Sequence, residues 1–508
     1  MSRLPDWLEP LPDAQEQRRL DQWAIEQHGI ASIELMERAG TGLAELVHER
    51  AGSGRVVVVC GKGNNGGDGY VAARVMRERG RAVEVLTLAP GEELRGETRA
   101  NFERLPGAPA RSFEPAALTG AAAVVDAILG TGFVGEPRQP AAGAIDAINA
   151  VGERAAVIAC DVPSGVNAST GEVYGVAVRA TATATFHAAK PGLWIAPGKG
   201  HAGAVRVIDI GIPPGGPADP SVGLIGDGVT DAVPRRGSES TKFAAGSVLV
   251  CGGSTGLTGA PCLASESAMR AGAGYVTALV PASLNQIFES RLLEVMTVPL
   301  PDRDGSLHPE GVEEVLERSA RAGALVLGPG LGRAPDAAQV ARTLAVAVQL
   351  PLLLDADGLN AHAERLGSLA QRTAPTVLTP HAGELGRLLG RDSAEVQARR
   401  LPCAREAASE AQAVVVLKGD DTIVTDADGR VAVSRGGAAA LATAGTGDVL
   451  SGAIGAYLAK RMDPFHAACA AVFVHARAGQ LAATGIGSEG VIARDVIDAL
   501  PRALPAAG

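Results

Sequence analysis

Hydrophobic positions along the chain change period several times. Residues 14–49 carry Leu20, Trp23, Ala24 and Ile25, then Ile33, Leu35, Met36, Leu43 and Leu46, at helix-like spacing, so this stretch reads as helical. RVVVVC (55–60) is a short continuous apolar run, the mark of a strand buried on both faces. A helical pattern follows over 68–79 and stops at Gly80, a residue suited to the turn after a helix. AVEVLTL (82–88), AAAVVDAIL (121–129) and AAVIACDVPSG (155–165) read as further strands, the last two running into glycine-containing loops. This alternation predicts an α/β fold with a mostly parallel sheet covered on both faces.

The pattern breaks over residues 212–242, where Pro/Gly-rich IPPGGPADP is followed by polar RRGSESTK, and this is the linker candidate. A second alternating series starts at SVLVCGGS (247–254). It continues through YVTALVP, ALVLGPG, PLLLDADGLN, TVLTPHAGE and AVVVLKGDDT, and ends in the helical GTGDVLSGAIGAYLAK. Two α/β domains follow, residues 1–222 and 223–508. Aromatics make up only 3% of the chain, so both cores must be built from Val, Leu, Ile and Ala. The formal net charge of −10 argues against a nucleic-acid partner, which calls for basic patches. It leaves phosphate ligands open, because backbone N–H groups bind them locally. The six cysteines have neither CxxC nor zinc-like spacing and read as small buried hydrophobes. With no apolar leader and no membrane-length apolar run, a cytoplasmic protein with no membrane partner is expected. A homo-oligomer stays open.

GKGNNGGDG (61–69) follows a strand and opens a helix. Gly61, Gly63 and Gly66 satisfy GxGxxG, and Glu84 lies where a ribose-binding acid belongs in a dinucleotide site. Two features oppose that reading. Asp68 would repel a pyrophosphate, and Asn64 and Asn65 supply carbonyl oxygens that suit a cation better. Two more strand-end loops carry Asp126, in VVDAILGTGFVGE (124–136), and Asp161, in IACDVPSG (158–165). Either Asp alone could be a helix cap. Together with the Asn pair they point to one crevice beyond the carboxyl ends of the strands.

GKGNNGGDG, DAILGTGFVGE and CDVPSG, with LMERAG (35–40), resemble the NAD(P)H-hydrate epimerase domain over residues 10–215. The resemblance implies a Rossmann-like parallel-sheet domain. It implies substrate contact by Asn64, Asn65, Gly66, Gly67 and Asp68, by Gly130, Thr131, Gly132, Phe133, Val134, Gly135 and Glu136, and by Asp161, the acid/base candidate. It also implies potassium (K+) near Asn65, Asp126 and Ser164.

In the second half, TAGTGDVLSG (443–452) sets Gly445 and Gly447 before a helix with Asp448 in its first turn. Such a turn offers N–H groups to a phosphate, and a carboxylate there can take a proton from an attacking alcohol. KGDDT (418–422) joins two strands and could hold a nucleotide or be a plain turn. In TPHAGE (379–384), Glu384 could position Mg2+ through water and His381 could bond substrate. These motifs, with GGSTGLTGAPCLASESAMRAGAGYV and LGPGLG, resemble the NAD(P)H-hydrate dehydratase branch of the ribokinase-like superfamily over residues 235–500. The resemblance implies contacts to the hydrated cofactor from Ala260, Gly330, His381 and Asp448. It implies nucleotide contacts from Lys418, Gly419, Asp420, Asp421, Thr422 and Gly447. Ala444 stands where that branch has Gly, and Lys242 resembles its early Lys without an assigned role.

Jointly the two resemblances imply repair of NADH hydrate and NADPH hydrate. One half would interconvert the R and S epimers, and the other would dehydrate the S form at the expense of ADP, giving AMP and phosphate. K+ would serve the epimerase, and Mg2+ with ADP the dehydratase. The residues alone leave three rivals: a small-molecule kinase with a regulatory front domain, an NAD-dependent oxidoreductase using the GxGxxG match, and a non-catalytic binding module in front.

Overall fold

A computed structural model describes residues 4–237, 241 and 245–504; Lys242 lies outside the described residues. Contacts gather the chain into two compact units. One is built on Pro10–Gly223, the other on Leu224–Gly508 together with Pro5–Glu9.

The first unit holds a seven-stranded sheet. Its strands run, across the sheet, Arg111–Ser112, Val83–Thr87, Val56–Cys60, Ala123–Ala127, Ala156–Cys160, Ala182–Phe186 and Ala204–Ile208, and every pair is parallel. The order reverses between Val56–Cys60 and Ala123–Ala127. In open α/β sheets ligands bind at such a point, beyond the carboxyl ends of the strands. The apolar run at 56–60 has a direct cause. Val56, Val58 and Cys60 pack into one core and Val57 and Val59 into another, so both faces of this strand are covered.

The helical stretch at 14–49 divides into Ala14–His28 and Ser32–Arg50. Gly29, at φ 66°, closes the first of them, and Asp13 opens it with a reciprocal cap in which Glu16 accepts from the Asp13 N–H. The next helix runs from Asn64 to Glu78, four residues earlier than periodicity suggests. Its first turns are Asn and Gly, weak helix formers. Tertiary packing overrides that preference. A Cβ on Gly66 would lie 2.0 Å from the Gly61 carbonyl oxygen, and one on Gly69 would meet Cys60 and Ala127. Only hydrogen at those positions lets the helix start so close to the sheet.

The second unit holds an eleven-stranded sheet. From Val414–Leu417 through Thr376–Leu378, Leu352–Leu354, Ala324–Leu327, Ser247–Cys251 and Tyr275–Pro281 to Met296–Leu300 it is parallel. Ile423–Thr425 and Val431–Val433 continue it antiparallel, and Val222–Ile225 and Leu8–Pro10 complete it. The linker stretch thus contains a strand, Val222–Ile225, that its Pro/Gly flanks concealed. No helix among the described residues is long and apolar enough to cross a membrane. All six cysteines are buried and free.

Residues Pro5–Glu9 are therefore structural parts of the second unit. The Trp7 ring stacks on His466 at 4.7 Å and lies 6.2 Å from Phe465. Its carbonyl accepts from the Gly226 N–H, and Glu9 pairs with Arg435. Trp7→Ala should lower stability by about 2 kcal/mol, less than a fully buried aromatic loses. Equilibrium urea unfolding of the full chain checks this, and an unchanged transition would make the strand dispensable.

Candidate functional site

In the first unit a cleft of about 1040 Å³ lies beyond the strand ends. Asn64, Asn65, Asp68, the whole Gly130–Glu136 loop and Asp161 line it, as do Asp21 and Lys190. Gly66 and Gly67 do not. They pack against the Gly61 backbone and against the Met36 and Thr98 side chains, where a Cβ would not fit, so they admit the helix to the sheet. Glu84 is also away from the cleft. It sits near the start of its strand, paired with Arg55 and with Arg111 at 3.2 Å, which removes the ribose-binding acid from the dinucleotide reading.

Asp161 follows the Ala156–Cys160 strand with φ 66°, a left-handed conformation that is uncommon for non-glycine residues and clusters at functional sites. Its Oδ1 accepts from Lys190 Nζ at 2.9 Å and from Thr185 Oγ1 at 3.3 Å. Its Oδ2 accepts from the Thr131 N–H at 3.1 Å and from the Thr131 hydroxyl. Burial alone would raise its pKa, but Lys190 and the Thr131 donors hold it below the ordinary aspartate value. Lys190 is 1% exposed. Sequence reasoning missed it, although a lone Lys among the small apolar residues of FHAAKPG is a signal that could have been followed.

Asp126 is fully buried. It accepts from the Ser164 N–H at 2.8 Å and hydroxyl at 2.6 Å, and burial pushes its pKa up to about 6. Ser164 Oγ in turn accepts from the Leu129 N–H at 2.8 Å, so the two strand-end loops are tied together. Both polar atoms of the Asn65 amide are buried without a protein partner, and Gly130 lies so close that a Cβ there would sit 3.0 Å from Asn65 Oδ1. An unpartnered buried carbonyl oxygen is costly unless something completes it.

In the second unit the loops converge on a lysine. Lys418 Nζ donates to Asp355 Oδ1 at 2.9 Å and lies 3.7 Å from Glu384. Asp355 also accepts from Thr379 Oγ1 at 2.9 Å and from Ser451 Oγ at 2.8 Å. Ser451 stands on the Thr446–Ala459 helix, in line behind Asp448. Asp448 occupies the first turn of that helix after Gly445, whose φ is 90°. Burial, then Asp355, raises the Asp448 pKa to about 7 against the opposing pull of Lys418. A Cβ on Gly447 would lie 3.5 Å from Lys418 Nζ, so ammonium and helix N-terminus face the same space. Asp355 and Ser451 had no place in the sequence reading, because DADGLN looks like an ordinary strand end.

His381 caps the Ala382–Leu389 helix. Its Nδ1 accepts from the Gly383 and Glu384 N–H groups, while Glu384 Oε2 accepts from the His381 N–H at 2.9 Å. Its other ring nitrogen, Nε2, lies 3.6 Å from Glu384 Oε1 on the half-exposed side of the ring. In KGDDT the side chains are largely used inside the protein. Buried Asp421 pairs with buried Arg400 at 2.9 Å, Thr422 Oγ1 donates to the Gly419 carbonyl, and Asp420 accepts from the Gly437 N–H. Side-chain contact from Asp421 to a nucleotide is therefore excluded in this arrangement, and the loop presents backbone. Arg400, which also donates to the Leu417 and Lys418 carbonyls, fixes its shape. Gly330, at φ 63°, packs on the Leu257 carbonyl, and its own carbonyl accepts from Ser254 Oγ. Ala260 lies in the first turn of the Gly259–Arg270 helix, and Ala444 is exposed.

Comparison with known proteins gives one answer for both halves. Residues 248–502 match the family described as NAD(P)H-hydrate dehydratase, and residues 32–192 the family described as YjeF-related protein N-terminus. The chain is 39% identical over 512 residues to the bifunctional NAD(P)H-hydrate repair enzyme Nnr of Moorella thermoacetica, covering 97% of this chain and 96% of that one. It is 38% identical over 524 residues to the enzyme of the same name from Salinibacter ruber, covering 97% and 96%. A crystal structure of ADP/ATP-dependent NAD(P)H-hydrate dehydratase from Bacillus subtilis, co-crystallized with ATP/Mg2+, shares 32% identity at a TM-score of 0.47, covering 54% of this chain and 94% of that one. With nearly full-length identity of this order, the chain belongs to the bifunctional NAD(P)H-hydrate repair enzymes.

Proposed function

We propose that residues 1–222 form the epimerase domain, interconverting the R and S hydrates of NADH and NADPH. Residues 223–508 form the dehydratase domain, returning the S form to NAD(P)H at the expense of ADP. The observation that supports this best is that each half has its own lysine–aspartate pair beyond its strand ends, buried Lys190 with Asp161 and half-buried Lys418 with buried Asp355. Each pair sits among the loops that carry that half's motifs.

In the dehydratase half, Asp448 takes the proton from the C6 hydroxyl of the hydrate as that oxygen attacks the β-phosphorus of ADP. The bond to the bridging oxygen breaks and AMP leaves. Phosphate then departs from C6 as the C5 proton is lost, which restores the C5=C6 double bond. Lys418 and the N–H groups at Gly447 and Asp448 face the charge that grows on the transferring phosphoryl group. Glu384 would hold Mg2+ through water, and the ion would offset the charge on the ADP phosphate oxygens. His381, through Nε2, and the backbone at Gly330 and Ala260 would orient the hydrate; KGDDT would hold the nucleotide through its backbone.

In the epimerase half, K+ would be held by oxygen donors at Asn65, Asp126 and Ser164. The unpartnered Asn65 amide oxygen supports that fit. The ion would supply positive charge beside the Gly130–Glu136 loop.

Incubating each purified epimer with the chain and ADP, with absorbance followed at the NADH band, tests the reading. Both epimers should be consumed, with AMP formed only when hydrate is present. AMP formation without hydrate, or recovery of neither epimer, would overturn it. Asp448→Asn keeps the helix cap but loses the base, so dehydration should fall by about 10²–10⁴ with ADP binding nearly unchanged. If that variant turns over like wild type, the base lies elsewhere, His381 first.

The pKa of about 7 at Asp448 gives a pH profile with a definite sign. Asp355, Glu384 and Lys418 face it, and the working form is the carboxylate. The kcat/KM for dehydration should therefore fall about tenfold per unit below pH 7 and level off above it. For potassium, replacing K+ by tetramethylammonium at equal ionic strength should lower the thermal midpoint and weaken hydrate binding. In Asn65→Ala both differences should vanish; their persistence would remove Asn65 from the ion's shell.

A further inference from the structure

The epimerase cleft contains a second acid whose surroundings are the reverse of those at Asp161. Asp68 lies on the Asn64–Glu78 helix, 8% exposed, and lines the cleft with Asp21, Asp161 and Lys190. Lys190 cannot serve it. Its three protons are already directed to Asp161 Oδ1 at 2.9 Å, Thr185 Oγ1 at 3.0 Å and the Phe186 carbonyl at 2.9 Å. Among the described residues, Asp68 makes no side-chain hydrogen bond or salt bridge. A carboxyl that is nearly buried, bonded to no cation, and beside an ionised neighbour keeps its proton against the weaker pull of a lysine engaged elsewhere. Burial first, then the charges of Asp161 and Asp21, accordingly push Asp68 well above the ordinary value. One cleft therefore holds a carboxylate with four donors on it and a carboxylic acid with none. Groups whose environments separate in this way take opposite acid and base roles.

We propose that Asp68 is the proton donor to the departing C6 hydroxyl and Asp161 the acceptor on the water that replaces it, with Lys190 the positioning residue that keeps the roles apart. This rests on the epimerase reading of the first half. As the C6–O bond breaks, the N1 lone pair forms an N1=C6 bond and the leaving oxygen takes the Asp68 proton, departing as water. A water on the opposite face then bonds to C6, the electron pair returns to N1, and the surplus proton passes to Asp161. One water leaves and one enters. The cleft ends with its two carboxyls exchanged in state, which is the form that runs the reverse inversion. Transfer of the proton from Asp161 back to Asp68 restores the start.

The test uses the full chain without ADP, following interconversion of the two epimers by chromatography. Asp68→Asn should slow interconversion by about 10²–10⁴ with hydrate binding little changed, and Asp68→Glu should recover part of the rate. Dehydration of the S epimer, measured separately with ADP, should keep its wild-type rate. Inversion in 18O-labelled water should place one labelled oxygen at C6. Lys190→Gln should move the acid limb of the epimerisation profile to higher pH, because Asp161 loses the charge that keeps it ionised. Arg18, Lys62, Glu93, Glu136 and Arg138 also line the cleft and stay constant in that comparison. Wild-type inversion in Asp68→Asn, loss of rate matched by loss of binding, or inversion with the original oxygen retained would overturn the proposal. Absence of interconversion by the wild-type chain would instead overturn the epimerase reading.

Discussion

Each half of this chain places three acids around one lysine in a space that water only partly reaches. Lys190 faces Asp21, Asp68 and Asp161; Lys418 faces Asp355, Glu384 and Asp448. An ammonium has three donors and one charge, so it can neutralise one carboxylate fully and the others only in part. In both halves the acid at the end of a central parallel strand takes the lysine at 2.9 Å. In both, an acid on the adjoining helix is left with a raised pKa, Asp68 in one case and Asp448 in the other. The imbalance leaves one acid in each cluster protonated above the ordinary aspartate range, where a fully paired cluster would have none.

The folds produce this through the polarity of their sheets. Parallel strands deliver their carboxyl ends to one edge, and the following helices begin there with free N–H groups. Close approach of helix and strand needs small residues, which explains the glycine density of GKGNNGGDG better than phosphate binding does. The same physics makes the pairs hard to alter singly. Removing one member of a buried ion pair leaves an uncompensated charge, a loss of about 3–5 kcal/mol. A test at Lys190 or Asp355 therefore needs a readout beyond activity.

Much of this was legible in the sequence where chemistry and local backbone coincide. The strand ends with Asp126 and Asp161 and the glycine-flanked helix start with Asp448 announce themselves, because a carboxylate among glycines at such a place suits a ligand crevice and little else. Lys190 and Asp355 were not legible, since the ion pair that gives each its role forms through tertiary contact, across 29 and 63 residues. Glu84 looked like a ribose ligand by spacing alone, yet Arg55 and Arg111 claim it. Gly66 and Gly67, expected from the resemblance as ligand contacts, lie off the cleft lining in tight helix–sheet packing. The Leu8–Pro10 strand is too short to carry a periodic signal, and its partners lie more than two hundred residues away.

The chemistry of both halves rests on the protonation states that one lysine per cluster leaves behind. The direct measurement is a pH titration of the full chain with 13C-labelled aspartate carboxyls, read by NMR, with Asp68→Asn and Asp448→Asn used to assign the resonances. Asp68 and Asp448 should join buried Asp126 in staying protonated above the ordinary carboxyl value of about 4, the first two signals each vanishing in its own variant, while the Asp161 signal stays ionised to low pH. If Asp68 and Asp448 instead titrate with the surface aspartates near that ordinary value, the lysine imbalance does not govern these sites.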